Sequence, residues 1–181
     1  LHCSVRRQRQ MCIRDSWHTD HSYDQIPALG SMLYAKELPK VGGDTLFAGC
    51  AAAFDTLSEG MKSTLRSLRA VHSSRHVFGK SAAIPDDMAD LFGNADKALQ
   101  DAEHPVVIKH PLSGRETLYV NPGFTTRFVG WTEKESNSLL AFLYEHISRP
   151  EHTYRFQWSK GALAFWDLSL IHISEPTRLA T

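Results

Sequence analysis

Apolar side chains recur along this chain with two periods. In residues 31–38 (SMLYAKEL), Met32, Tyr34 and Leu38 share one parity and Leu33 and Ala35 the other, which predicts a strand that Pro39 stops. Residues 105–110 (PVVIKH) and 117–121 (TLYVN) flank a Ser113-Gly114 turn and predict a hairpin. Tyr154, Phe156 and Trp158 alternate with polar residues, and residues 162–167 (ALAFWD) follow a Ser159-Lys160-Gly161 turn, so two more strands are expected. The helical period occurs twice. Residues 51–68 read as two helical pieces broken near Ser58 and Gly60, with Ser58 as a cap and Met61, Leu65 and Leu68 at i, i+4 and i+7. Thr132 to Glu135 has capping-box spacing, and Leu139, Leu140, Leu143 and Ile147 mark the buried face of the helix that follows. Residues 41–47 (VGGDTLF) read as a glycine turn entering a short strand, since a phosphate-cradling loop needs more glycines and a following Lys and Ser/Thr. Residues 70–100 are less regular, either an active-site lid or a surface excursion. Periodicity alone thus stops at a mixed α and β chain.

A length of 181 residues suits one domain with a sizeable core. No apolar run approaches a membrane span and no signal-peptide pattern is present, so neither membrane insertion nor secretion is expected. The two ends change the picture. Residues 6–16 read RRQRQMCIRDS and residues 168–178 read LSLIHISEPTR. The adapter oligonucleotide AGATGTGTATAAGAGACAG, read from its ATG, encodes Met-Cys-Ile-Arg-Asp and the start of a serine codon. Its reverse complement encodes Leu-Ser-Leu-Ile-His-Ile. One sequencing adapter in two orientations therefore accounts for both ends. The expected organisation is a non-native leader over 1–16, a partial domain over 17–167 and a non-native tail over 168–181, the ends being set aside from fold reasoning. The alternative is a basic nucleic-acid arm and a short amphipathic tail. Residues 17–167 carry 15 basic and 18 acidic side chains, a net charge of about −3, so no nucleic-acid partner is implied. Only Cys50 remains among the cysteines, which fits a reducing, cytoplasmic compartment without disulfides.

Candidate chemistry centres on Trp17-His18-Thr19-Asp20. On an extended chain His18 and Asp20, at i and i+2, project from one side. With a second histidine from a distant strand they would form the 2-His-1-carboxylate face that holds non-heme Fe(II) and leaves positions open. A bare His-x-Asp is weak by itself. His21 is close enough to line the same pocket, whereas His72, His76, His104, His110, His146 and His152 lack metal-ligand spacing and read as surface or satisfied core groups. Neither a Gly-x-Ser-x-Gly elbow nor a Cys-x-x-Cys pair is present.

The run WHTDHSYDQIPALGSMLYAKELPKVGGDTLFAG, then HPVVIKHPLSGRETLYVNPGFTTR, then ALAFWD, resembles the Fe(II)/α-ketoglutarate-dependent dioxygenase family of taurine dioxygenase and dichlorophenoxyacetate dioxygenase. The resemblance spans nearly all of residues 17–167. It implies a mixed α/β, mainly β fold, a cupin-like double-stranded β-helix or jelly roll with helical insertions, incomplete in this chain. It implies that His18 and Asp20 are iron ligands, that the Thr45 hydroxyl binds a carboxylate of α-ketoglutarate, and that Asn121 and Phe124 border the substrate pocket, with Phe124 the better candidate for packing on substrate. For these last two a turn with a buried aromatic is the competing reading. The implied cofactors are Fe(II), α-ketoglutarate and O₂. The implied substrate is a small anionic organic molecule such as a taurine-like sulfonate, and a homo-oligomer is plausible within the family. Two departures stand out. The family's third ligand, a histidine six residues after the Trp-Asp aspartate, falls at Ile173, and His172 is one residue off, which on a strand turns it to the other face. The arginine that clamps α-ketoglutarate has no counterpart. The expected function is therefore a fragment of an α-ketoglutarate-coupled hydroxylase, inactive as it stands. The alternatives are a catalytically inactive truncated jelly-roll fragment or a non-redox binding module.

Overall fold

The computed structural model describes residues 17–40, 42–75 and 101–174. In chain order these form β1 (Gly30–Tyr34), β2 (Thr45–Gly49), α1 (Cys50–Asp55), α2 (Glu59–Arg66), β3 (Arg69–Ser73), β4 (Asp101–Pro105), β5 (Val107–Lys109), β6 (Glu116–Leu118), β7 (Thr125–Phe128), α3 (Glu133–Ile147), a 3₁₀ turn (Pro150–His152), β8 (Thr153–Phe156), β9 (Leu163–Asp167) and β10 (Ile171–Ser174). The strands make four antiparallel sheets, ordered β1-β9, β10-β2-β8, β4-β3-β7 and β5-β6. The mixed α/β, mainly β class is as expected, and among the described residues the sheets do not close into a barrel.

Local chemistry accounts for most boundaries. Gly42 and Gly43, at φ +83° and +81°, adopt left-handed backbone that only glycine enters without strain, and they turn the chain into β2. The Ser58 hydroxyl accepts from the Met61 N–H at 3.3 Å and starts α2. At α3 the capping box is complete: the Glu135 N–H donates to Thr132 Oγ1, and the Glu135 carboxylate accepts from the Thr132 N–H. Ser136, buried in the first turn of α3, accepts from the Phe128 N–H at 3.0 Å and so ties the helix to β7. The main core packs Leu140, Leu143 and Ile147 of α3 against Phe54, Leu65, Val106, Leu118 and Phe128. A second cluster holds Ala164, Trp166, Leu168 and Ile173, with Phe47, Phe156 and Trp158 against it.

Several elements differ from expectation. The strand expected over 31–38 ends at Tyr34: Ala35 still exchanges backbone bonds with Ala162 and Gly161, but there the opposing chain is already in the turn that leads into β9. The strand expected over 105–110 splits at Val106, whose N–H donates to the Leu68 carbonyl at 3.0 Å while its own carbonyl accepts from the Tyr119 N–H. Val106 thus belongs to neither neighbour. β3 is the centre of its sheet yet lay in a stretch with no strand signal; four of its five residues are buried, so alternation is lost. The lid suggested over 70–100 lies mostly outside the described residues. Ile171–Ser174, within the expected tail, forms β10 against β2.

His72 in β3 is fully buried, stacks on Tyr119 at 5.5 Å and leaves Nε2 without a partner among the described residues. Burial first, then the neighbouring His104 and His172, push its pKa from the ordinary 6.5 to about 3. The folded protein therefore keeps His72 neutral while the unfolded chain takes up a proton. Stability is expected to fall as pH drops from 6.5 toward 3, by about 1.4 kcal/mol per unit from this group once well below 6.5. Urea unfolding at a series of pH values should show that contribution as the difference between the starting protein and His72→Gln, whose slope should be shallower by about one proton's share, buried His172 still contributing its own.

Candidate active site

His18 is held by an isolated antiparallel bridge. Its N–H donates to the Ile173 carbonyl at 2.9 Å, and the Ile173 N–H returns a bond to the His18 carbonyl at 2.8 Å. Thr19 turns the other way, fully buried, with its hydroxyl on the Leu168 carbonyl at 2.8 Å. His18 and Asp20 are left side by side, with His18 Nε2 3.7 Å from Asp20 Oδ1 and side chains 12% and 42% exposed. Metal–ligand bonds of about 2.0–2.2 Å put adjacent donors about 3 Å apart, so a small rotation lets both grip one ion. The i, i+2 expectation therefore holds, although only His18 is paired as in a strand.

Residues opposed in an antiparallel pair project to the same face. Ile173 thus shares the His18 face, and Phe47 of β2, opposite Ile173, extends it. Thr45, two residues before Phe47, lies on that face as well, buried, with its hydroxyl accepting from the Trp158 indole N–H at 2.9 Å. His172 faces away, opposite Ala48, and is buried. Burial first and then His18 push its pKa to about 3. The position at which the resemblance implies a third ligand is an isoleucine, and among the described residues no group of three His, Cys, Asp or Glu side chains is arranged to hold a metal. The donors present fit two corners of a metal face and not the third.

The turn before β7 packs against the back of His18. A Cβ on Gly123 would stand 2.8 Å from His18 Cβ and 3.2 Å from Asn121 Oδ1, so only glycine fits there. Phe124, 3% exposed, meets the His18 ring edge-on at 6.5 Å between centroids and Tyr23 at 4.8 Å. Asn121 is fully buried; its Oδ1 accepts from the Phe124 N–H at 2.9 Å, and its Nδ2 donates to Ser22 Oγ at 3.2 Å. Both ends of its amide are engaged inside the protein, which fits the turn reading, while Phe124 stands beside His18.

Of the other groups at the site, His21 was expected from the sequence to line the pocket, whereas Tyr23 and the pairing of His110 with Asp167 were not. The Tyr23 phenol is raised above its usual pKa by burial, then by Asp24 and Asp20, and stays protonated beside the carboxylate. His21, in left-handed backbone at φ +61°, directs its ring to Asp24 at 2.8 Å. His110 Nε2 donates to Asp167 Oδ2 at 2.8 Å, and Asp167 Oδ1 accepts from the Ser169 N–H at 2.8 Å and from its hydroxyl. This fixes the turn from β9 to β10. A cavity of about 540 Å³ runs along the same sheet face, lined by Phe47, Phe156, Trp166 and Ile171 but not by His18, Asp20 or Thr45. Gly123→Ala is expected to push on His18, destabilising the protein by about 1–3 kcal/mol and weakening Co(II) binding. Denaturant unfolding and a Co(II) absorption titration would test this, and unchanged values in both would refute the close packing.

The family model described as taurine catabolism dioxygenase TauD, TfdA family matches residues 5–172, past both ends of the expected 17–167 domain and including His172. The chain is 36% identical over 156 residues to an alkylsulfatase of Acinetobacter baylyi, covering 84% of this chain and 49% of that one. It is 35% identical over 157 residues to an alpha-ketoglutarate-dependent sulfate ester dioxygenase of Pseudomonas putida, covering 84% and 51%. The crystal structure of a taurine dioxygenase from Burkholderia xenovorans matches with a TM-score of 0.75 at 34% identity, over 91% of this chain and 53% of that one. The chain spans about half the length of the curated relatives it matches. The likeness carries the jelly-roll fold expected from the resemblance. By the extent of these matches, the chain belongs to the TauD, TfdA family of dioxygenases.

Proposed function

We propose that this chain is part of an Fe(II)/α-ketoglutarate-dependent dioxygenase that hydroxylates a small anionic organic molecule, a sulfonate or sulfate ester in the first instance. The observation that carries the reading is the convergence of His18 and Asp20, 3.7 Å apart, on the face shared with Thr45, in a chain of this family. When bound, Fe(II) with α-ketoglutarate and O₂ supplies oxidising power that no side chain has. The residues do the rest. His18 and Asp20 would grip the metal from one side, and the Thr45 hydroxyl would donate to a carboxylate of the co-substrate. Phe124 would border the substrate, and Phe47 would keep water from the face. The substrate class follows the printed activities of the relatives, an alkylsulfatase and a sulfate ester dioxygenase. A cytoplasmic setting suits the free, buried thiol of Cys50, and no described helix is long and apolar enough to cross a membrane. A homo-oligomer is proposed on family resemblance.

Ile173 favours a second reading for these 181 residues as written. A two-donor face holds iron less firmly than three, so the chain has the family's fold without its turnover. Anaerobic Fe(II) and α-ketoglutarate titration, followed by the visible charge-transfer band of the chelate, separates the readings. Ile173→His is expected to gain the band and bind Fe(II) about tenfold or more tightly. Adding His18→Ala or Asp20→Ala to that variant should abolish it. No band in Ile173→His would sink the site assignment.

A further inference from the structure

We infer that Trp158 is a positioning residue that holds the Thr45 hydroxyl as a hydrogen-bond donor to an anionic oxygen on the site face; this rests on the function proposed above. A threonine hydroxyl has one proton and two lone pairs, and free rotation lets it donate or accept as its surroundings demand. An indole N–H only donates. With Trp158 Nε1 2.9 Å from Thr45 Oγ1, the threonine oxygen must accept there. Its own proton is left over. Among the described residues no acceptor takes that proton, although Thr45 is 1% exposed.

A buried donor without an acceptor is unfavourable, and an oxygen-bearing ligand relieves it. Donation into Oγ1 also polarises the O–H bond and makes it a stronger donor. The Thr45 side chain is in this way set for a carboxylate. Asp44, next along the chain, does not compete, since its carboxylate is turned to Arg155 at 3.5 Å. The same apolar cluster holds a second such group, Trp166 Nε1, a buried donor with no acceptor among the described residues. Thr45 and Trp166 are thus two buried donors of this cluster whose protons no described acceptor takes.

The position of Trp158 follows from register. Thr45 pairs with Phe156, the last residue of β8, and Trp158 stands two residues beyond it, off the ladder. Its ring is held edge-on against Phe156 at 4.8 Å between centroids. Among the described residues no backbone bond ties it to β2, so the indole stands off the ladder and its N–H reaches the hydroxyl.

The test uses the full chain, ¹⁵N-labelled, with Zn(II) as a diamagnetic metal, titrated with α-ketoglutarate. The four tryptophans give four indole N–H signals, and Trp158→Phe identifies the one that matters. That signal should shift as the ligand saturates, and should stay still in Thr45→Val. Calorimetry should show α-ketoglutarate binding weakened about fivefold by Trp158→Phe, with no further loss when Thr45→Val is already present. Equal losses in both backgrounds, or a Trp158 signal that ignores the ligand, would overturn the inference while leaving the proposed function standing. No α-ketoglutarate binding by any variant, Ile173→His included, would overturn both. If Trp158→Phe fails to fold, the starting chain and Thr45→Val still decide: with α-ketoglutarate bound, the inference needs an indole N–H signal that shifts in the first and stays still in the second, and a set of indole signals that responds alike in both would overturn it.

Discussion

Two backbone hydrogen bonds between His18 and Ile173, at 2.9 and 2.8 Å, hold the site together. The His18 segment belongs to no regular strand, and this bridge is what adds it to the edge of β10. β10 is in turn laid on β2, which carries Thr45 at its start and Phe47 in its middle. The His18–Asp20 arm and Thr45 are thus placed on one surface by ladder geometry, although His18 and Thr45 are 27 residues apart in the chain. Without the bridge, His18 and Asp20 would remain neighbours, but the ladder that carries Thr45 would no longer set their direction.

The arm is also held from behind and from the side. Gly123 brings backbone against His18 Cβ at a distance no side chain tolerates, and Asn121 links that turn to Ser22, just past the arm. On the other side, Asp167 organises the turn into β10. Burial alone would raise its pKa, yet the Ser169 hydroxyl and N–H and then His110 outweigh burial and hold the carboxyl below its usual range. The charged carboxylate is what these donors need, so the turn is firmest at neutral pH.

Much of this was legible in the sequence, for identifiable reasons. Helices α2 and α3 announced themselves through Ser58, the Thr132-Glu135 box and spaced leucines, because caps and amphipathic faces are local. His18 and Asp20 were legible because i, i+2 spacing is also local, and Thr45 through family resemblance. β3 was not, since a strand buried on both faces shows no alternation. Nor was the partnership of Trp158 with Thr45, separated by 113 residues, or of His110 with Asp167, separated by 57, because such pairs exist only once the sheets have formed. The turn around Asn121 was read with two meanings, and the buried amide supports the structural one.

Ile173 shows how fold and chemistry come apart at one residue. Its side chain is 4% exposed among Trp166, Leu168 and Ala164, and burial of that kind contributes about 1.5–3 kcal/mol to the folded state. A histidine in its place, without a metal, would meet what His72 and His172 meet: burial that lowers the pKa of an imidazole, and a ring nitrogen with no partner among the described residues. The isoleucine is therefore the better residue for stability and the wrong one for holding iron. A histidine at that point of the sheet is tolerable only when the ion supplies the missing bond, so metal and ligand stabilise each other. The same logic makes His172 a poor substitute, since its ring turns away from His18 and across to Ala48, where one residue of register separates a ligand from a buried, silent imidazole.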